Sequence, residues 1–390
     1  MQPPIRHVFA LSHDELRAWC EAGGMPHFRA RQILEWVYER GVADPAAMSN
    51  LSKRDRDVLA AGVTFLSGST VREQLATDGT RKLLIQWTDD PASQGHPSGP
   101  PDRASLPVLA HPAFDPSRQT ECVMIPSDPE DADPRRTACV SSQVGCPVGC
   151  RFCASGLDGL SANLSAGRIV EQVWRLGDLL RRDSDPVGRI TNVVFMGMGE
   201  PLANMSSVIA AIRTLNTLPP FGLGISARKI TISTVGLPKA IEKLAQSLDL
   251  PVTLALSLHA PTDELRRSLI PWAEYSTIPE LLAACQRWFD KTGREITLEY
   301  TLLRSVNDRP EHALELARLA RTLRANVNLI RYNEVAGLPF QRPETDDVRA
   351  FQAVLRTRGV NAHIRASRGR DIAAACGQLR RESAARTGAA

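Results

Sequence analysis

The sequence predicts an α/β fold: six βα units, in an open partial barrel or a doubly wound sheet, behind a small helical N-terminal domain. Three observations predict it. From about residue 119 short β-rich runs alternate with helical patterns at the spacing of parallel βα units. Six such units are too few to close an eight-stranded barrel, so a partial barrel or a doubly wound sheet fits. Up to about residue 65, by contrast, the chain carries helical periodicity and helix-start signals.

The elements follow in order. Ser12 with Glu15 is a capping-box pair opening a helix through about Ala22. Phe28, Gln32/Ile33, Trp36 and Val37 fall near one face of a second helix, with Arg29, Arg31 and Arg40 on or beside it. That basic face reads as solvated surface or as an RNA contact. Short strands are expected near Thr64–Val71 and Lys82–Trp87. The stretch 90–118 is rich in Pro, Gly and Ser and reads as a long loop or linker. The expected units are therefore 1–65, 66–118, 119–380 and a tail, 381–390. In the third unit strands are expected at Thr137–Ser141, Ile190–Met196, Lys229–Thr234, Val252–Leu258, Ile296–Leu302 and Val327–Tyr332. Helices fall between and after them, at Ala166–Leu180, Asn204–Leu215, Pro238–Ser247, Pro279–Lys291, Pro310–Leu323 and Glu344–Arg358. The functional site of such a fold lies at the carboxyl ends of the strands.

Composition excludes several classes. With 43% hydrophobic and 23% charged residues, the bulk of the 390-residue chain is not disordered. No apolar run is long enough to span a membrane. The N-terminus MQPPIRHVFALSHDEL lacks the apolar core of a signal peptide, so the expected compartment is the reducing cytoplasm. There, eight cysteines read as ligands or catalytic groups before they read as disulfides. A net charge of +4 says little about partners.

The strongest chemical signal is the array Cys146-Pro147-Val148-Gly149-Cys150-Arg151-Phe152-Cys153. Three thiolates within eight residues can face one metal centre. Structural zinc would need a fourth ligand, with Cys139 or a histidine as candidates. An iron–sulfur cluster on three cysteines leaves one iron open to a substrate.

The spacing C-x3-C-x2-C, with Phe152 before the third cysteine, resembles the radical S-adenosylmethionine (SAM) superfamily. The resemblance implies a partial six-unit barrel and a 4Fe-4S cluster on Cys146, Cys150 and Cys153, with SAM on the open iron. Met196-Gly197-Met198-Gly199-Glu200-Pro201 ends the second strand, where a Gly-rich turn admits a ligand and Glu200 offers a carboxylate to an ammonium group. Ile232-Ser233-Thr234-Val235-Gly236, Leu256-Ser257-Leu258-His259-Ala260-Pro261 and the segment around Asn333 end further strands with polar groups at the site face. Two more segments are the most specific: Cys139-Val140-Ser141-Ser142-Gln143-Val144-Gly145, leading into the cysteine array, and Arg368-Gly369-Arg370-Asp371-Ile372-Ala373-Ala374-Ala375-Cys376-Gly377 near the C-terminus. Together they resemble the RlmN family, dual-specificity methyltransferases of carbon 2 of adenine in ribosomal RNA and tRNA. The resemblance covers about 119–380 and extends more weakly to the N-terminal helices, which resemble that family's accessory RNA-binding domain. A sister family, Cfr, methylates carbon 8 of the same ribosomal adenosine.

The resemblance implies a stepwise mechanism. One SAM methylates Cys376. A second yields an adenosyl radical that abstracts hydrogen from that methyl group, and the resulting carbon radical adds to the adenine. Glu121 accepts the carbon-2 proton. Cys139 then attacks the Cys376 sulfur, a Cys139–Cys376 disulfide forms and methylated RNA leaves. Gly199, Glu200, Ser233, Ser257, Leu258, His259 and Asn333 match SAM-contacting positions, although the family often has Pro and Trp before that asparagine and Pro after it. Implied partners are 23S rRNA, tRNA next to the anticodon, and an electron donor such as flavodoxin or ferredoxin; a monomer is expected. Without the family match, Glu121 reads as an exposed strand-edge carboxylate. Cys20, Cys122 and Cys285 read as small apolar fillers. Between Arg356 and Arg386 stand eight arginines against Asp371 and Glu382. Arg365, Arg368 and Arg370 are thus candidates for a phosphate-binding face.

Overall fold

The computed structural model describes residues 1, 4–88, 115–128 and 130–379. Most of the expected 90–118 linker and the whole 381–390 tail lie outside the described residues. Among the described residues no helix is long and apolar enough to cross a membrane.

The N-terminal region is helical, as expected. α1 (His13–Ala22) opens on the Ser12–Glu15 capping box, with both reciprocal bonds made. α2 (Arg29–Leu34) runs into a π-helical turn over Glu35–Glu39, and α3 (Lys53–Gly62) is capped by Ser52. Ile33 and Val37 are buried, but Phe28, expected on that face, is 47% exposed. It sits one residue before the helix, so helical spacing does not govern it. Arg29 is taken by Asp55 at 3.1 Å and Arg31 by Glu35 at 2.8 Å. The Arg40 guanidinium stacks over Trp36 at 4.3 Å.

β1 (Gly68–Leu75) and β2 (Arg81–Trp87) form an antiparallel hairpin, with Gly68 opposite Trp87. The first strand begins later than the expected 64–71. β2 pairs with β3 (Gln119–Pro126), and β3 with β4 (Arg136–Cys139), both antiparallel. The segment after residue 66 therefore builds one end of the main sheet. After a small hairpin of β5 (Gln143–Gly145) and β6 (Leu160–Asn163), α4 (Ala166–Arg182) crosses to β7 (Asn192–Phe195), which lies parallel to β4. The alternation continues through α5 (Met205–Asn216), β8 (Ile230–Thr234), α6 (Pro238–Ser247) and β9 (Thr253–Ser257). Then come α7 (Asp263–Leu269), α8 (Ile278–Thr292), β10 (Ile296–Leu302), α9 (Pro310–Ala320), β11 (Ala325–Arg331), α10 (Thr345–Thr357) and β12 (Ala362–Arg365). The sheet order β1-β2-β3-β4-β7-β8-β9-β10-β11-β12 has two free ends, so the barrel is open. Six βα units are present, followed by β12 as a seventh parallel strand that periodicity did not reveal. β12 has four residues and β5 three, too short for an alternation to be read.

Parallel strands covered by helices read as near-continuous apolar runs, and β10 is buried at six of its seven positions. Its neighbour α8 contributes Trp288, fully buried. Val8 and Phe9 belong to the same contiguous core as α4 and the barrel strands. The Trp174 indole N–H donates to the carbonyl of Val37 at 2.9 Å, which ties α4 to the N-terminal helices.

A buried polar network fixes this junction. Glu171 on α4 accepts from His7 Nε2, the Ser67 N–H and the Ser67 hydroxyl, each at 2.9 Å, and pairs with Arg175 at 2.8 Å. Burial acts to raise its pKa, but His7, Arg175 and Ser67 outweigh that and hold the carboxyl below its ordinary 4.5. A lowered folded pKa means stability that is present above pH 4.5 and is lost as pH falls through the folded value. Glu171→Gln is expected to cost about 3 kcal/mol at pH 7, read by urea unfolding. The gap to the unaltered protein should narrow as the pH drops below 4.5.

Candidate active site

The carboxyl ends of β7–β10 open on a cavity with about 870 Å³ of empty space counted to its mouth. Cys146, Cys150 and Cys153 form one wall of it. Their loop is held by the β5–β6 hairpin, where Gly145 has φ 77° and a Cβ would lie 1.9 Å from the Gly159 carbonyl oxygen. That contact and the left-handed backbone require glycine. Burial pushes the Cys146 thiol up to about 12 and raises Cys150 and Cys153 as well. Opposing this, the N–H groups of Val148 and Gly149 donate to Cys146, and Ser155 and Gly156 donate to Cys153. Arg266 is buried beside Cys150. Its Nε donates to the Leu258 carbonyl at 3.2 Å and its Nη2 to the Val235 carbonyl at 2.5 Å, while Nη1 has no partner among the described residues. Backbone donors aimed at sulfur and a buried cation with a spare proton suit an anionic iron–sulfur centre. Among the described residues no three His, Cys, Asp or Glu side chains close on a single ion, and Cys139 lines a different cavity. Of the two candidates for a zinc's fourth ligand, Cys139 is set apart from the array, while a histidine, His259, lines the same cavity.

The opposite walls carry the expected polar groups. Gly199 has φ 106°, and a Cβ there would approach Gln143 Cβ to 2.7 Å. Glu200 accepts from the N–H groups of Leu202 at 2.9 Å and Val235 at 3.0 Å, yet burial still raises its pKa. The hydroxyls of Ser233 and Ser257 lie 3.2 Å apart in a hydrogen bond. His259 Nδ1 accepts from the Thr301 N–H at 3.0 Å, and burial with the nearby Arg266 charge pushes its pKa down to about 3. It is therefore a neutral hydrogen-bonding group at physiological pH. These walls suit the amino acid and ribose parts of SAM. Leu258 is fully buried and outside the cavity lining; its carbonyl serves Arg266. Asn333 lies apart from these walls. It lines a second, smaller cavity, where Nδ2 donates to the Cys376 carbonyl at 3.3 Å and Oδ1 accepts from Arg342 at 2.9 Å.

Cys376 lines both cavities, and Cys139 lines the second. The Cys376 loop is clamped from two sides. The β1–β2 turn holds it through Asp78, which accepts the Gly369 N–H at 2.9 Å, and through the Thr77 N–H, which donates to Asp371 at 2.9 Å. On the other side the Ala154 N–H donates to the Gly377 carbonyl at 2.8 Å, and the Ser155 hydroxyl to the Leu379 carbonyl at 2.6 Å.

Comparison with known proteins decides the family. Residues 140–317 match the radical SAM superfamily, and residues 7–64 match the ribosomal RNA large subunit methyltransferase N-terminal domain. The "Probable dual-specificity RNA methyltransferase RlmN" of Rhodopirellula baltica is 40% identical over 379 residues, 97% of this chain and 92% of that protein. The protein of the same description from Thermosynechococcus vestitus is 42% identical over 96% of this chain and 98% of its own length. This chain belongs to the RlmN family. The fold agrees: a crystal structure of a radical SAM methyltransferase from Sphaerobacter thermophilus superposes with a TM-score of 0.84 at 40% identity, over 97% of this chain and 100% of that one.

As a radical SAM methyltransferase of the RlmN family, the protein uses a 4Fe-4S cluster and SAM. Glu121 is not an exposed edge carboxylate: it is 5% exposed and paired with Lys82 Nζ at 2.8 Å. It lies outside both cavity linings. Lys82 also donates to the Ala373 carbonyl at 3.2 Å, three residues before Cys376. Lys82, Asp78 and Arg266 are the site residues that sequence reasoning missed. A lysine inside the apolar run of β2 was the available signal. The arginine run is not one continuous face. Arg365 turns inward to both cavities, Arg368 pairs with Asp128, Arg370 is exposed, and Arg380, Arg381 and Arg386 lie outside the described residues.

Burial, and second the neighbouring Cys376, push the Cys139 thiol up to about 12. Any step that needs its thiolate should accelerate about tenfold per pH unit between roughly pH 7 and 9, because only a small fraction is ionised there. Rapid-quench measurement of RNA release against pH reads that slope. A pH-independent release would show that Cys139 is not the attacking group.

Proposed function

We propose that this chain methylates carbon 2 of adenosine in 23S rRNA and in tRNA next to the anticodon, through a methylated Cys376. The observation that carries the reading is the place of Cys376, on the wall shared by the cysteine-lined cavity and the cavity of Cys139. Cys146, Cys150 and Cys153 would hold the cluster, and Glu200, Ser233, Ser257 and His259 would face SAM. When bound, these groups supply the methyl carbon and the one-electron chemistry that activates it.

The chain's own residues do the rest. Cys376, which shares its cavity walls with Arg365, accepts the methyl group as a thiolate. Once that carbon is joined to the base, Glu121 takes the carbon-2 proton, and the odd electron left on the base would pass to the redox centre that Cys146, Cys150 and Cys153 would hold. Cys139 then attacks the Cys376 sulfur as a thiolate. The sulfur–carbon bond breaks, its electron pair passes to the base-bound carbon, and that carbon takes a proton to become the methyl group. A Cys139–Cys376 disulfide remains, and two electrons from an external reductant such as flavodoxin or ferredoxin restore both thiols.

The test is nucleoside mapping. Holoenzyme is incubated anaerobically with reductant, methyl-labelled SAM and either a 23S rRNA fragment or tRNA, and the digested RNA is chromatographed. The expected product is 2-methyladenosine from both RNAs. Label at carbon 8, or none at all, would overturn the reading.

A further inference from the structure

Arg365 ends β12, and its side chain lines both cavities beside Cys376. A guanidinium carries five N–H donors and accepts nothing. Among the described residues this one makes a single side-chain hydrogen bond, from Nη1 to the thioether sulfur of Met196 at 3.3 Å, and no ion pair. A thioether is a weak acceptor. The carboxylate that most favours its charge, Glu299, receives Asn328 Nδ2 on both oxygens, at 3.1 and 2.9 Å. Arg342 is different: it donates to the Tyr332 carbonyl at 2.7 Å and to Asn333 Oδ1 at 2.9 Å. A part-buried planar fork with most of its protons unused is shaped for a ligand with acceptors in one plane.

We infer that Arg365 reads the target base, donating its fork to a ring nitrogen that flanks the alkylated carbon of adenine. This rests on the function proposed above. Carbon 2 lies between N1 and N3, and both nitrogens accept hydrogen bonds. The Cys376 sulfur that delivers the new carbon shares a wall with Arg365, so a carbon 2 placed against it brings N1 or N3 to the guanidinium. A donor there draws electron density from carbon 2 and stabilises the charge that develops as the new bond forms. Carbon 8 is flanked by N7 and by N9, and N9 carries the ribose and accepts nothing.

The experiment is a binding cycle on cluster-loaded, SAM-bound protein. The probe is an anticodon stem-loop RNA with adenosine, 1-deaza-, 3-deaza- or 7-deaza-adenosine at the target position. Arg365→Gln is expected to weaken binding of the adenosine RNA about 10- to 100-fold. The unaltered protein should lose a similar factor with the 1-deaza or the 3-deaza RNA, and R365Q should lose little more with that same RNA. The 7-deaza change should act equally on both proteins. A merely structural role would leave every analogue effect the same in both. Additive effects for 1-deaza and 3-deaza alike, or a loss of SAM affinity with RNA affinity unchanged, overturn the inference. If R365Q fails to retain iron, Arg365→Lys completes the cycle, since it keeps the charge and loses the planar fork. Equal binding of all four RNAs by the unaltered protein overturns the inference without any variant. An additive cycle with methylation intact removes only this contact, whereas absent methylation of the adenosine RNA removes the proposed function with it.

Discussion

Cys139→Ala is expected to trap RNA on the protein, and Cys376→Ala is expected to prevent any attachment. Neither residue belongs to the three-cysteine array, so both variants should keep their iron. Without Cys376 no thiolate accepts the methyl group, and neither protein methylation nor an RNA adduct should form. Without Cys139 the adduct can form, but no second thiol attacks the Cys376 sulfur, and disulfide formation needs that attack. Turnover should fall to background in both variants, while the Cys139 variant accumulates a covalent species near one RNA per protein. Denaturing gels and mass spectrometry of the Cys376 peptide separate the outcomes. The geometry behind this expectation is that Cys139 and Cys376 line one small cavity, with Cys376 also open to the larger one. Normal turnover by the Cys139 variant would refute the covalent route.

The second large effect concerns the array itself. Cys146→Ala, Cys150→Ala and Cys153→Ala should each lose iron and abolish methyl transfer, because these three are the proposed protein ligands of the cluster. Gly145→Ala should do nearly as much without touching a ligand. Its Cβ would meet the Gly159 carbonyl oxygen at 1.9 Å, on a backbone with φ 77°. Relief requires the β5–β6 hairpin to open, and Cys146 is the next residue. Iron and sulfide analysis after anaerobic reconstitution, with thermal unfolding alongside, checks both expectations. Full iron content in Gly145→Ala would show that the hairpin does not position the loop. Gly159→Ala makes a useful control, since nothing lies within 4 Å of a Cβ there. Its left-handed backbone, φ 66°, makes a modest stability loss of about 1 kcal/mol the expected cost.

The sequence by itself determined the local chemistry. The cysteine spacing, the Gly-rich turn at Gly199 and Glu200, and the serines that end β8 and β9 stand within short stretches, and the strand–helix alternation delivers those turns to one end of the sheet. The capping box at Ser12 and Glu15 is equally local, and α1 begins where it indicates. Tertiary structure decided what depends on residues far apart in the chain. Lys82 joins Glu121 to the Ala373 carbonyl across 291 positions, and Asp78 holds Gly369 across a similar distance. No periodicity encodes such pairs, because they arise only when the β1–β2 hairpin is added to the sheet and its turn meets the C-terminal loop. The same holds for Arg365. In sequence it stands in a basic run and reads as part of a phosphate-binding face, but β12 pairs with β11 and turns the guanidinium inward beside Cys376. The fold likewise brings the Asn333 amide to the Cys376 carbonyl, 43 residues away in the chain. Residue type is a property of the chain, whereas the direction a side chain takes is set by the strand pairing and burial that surround it.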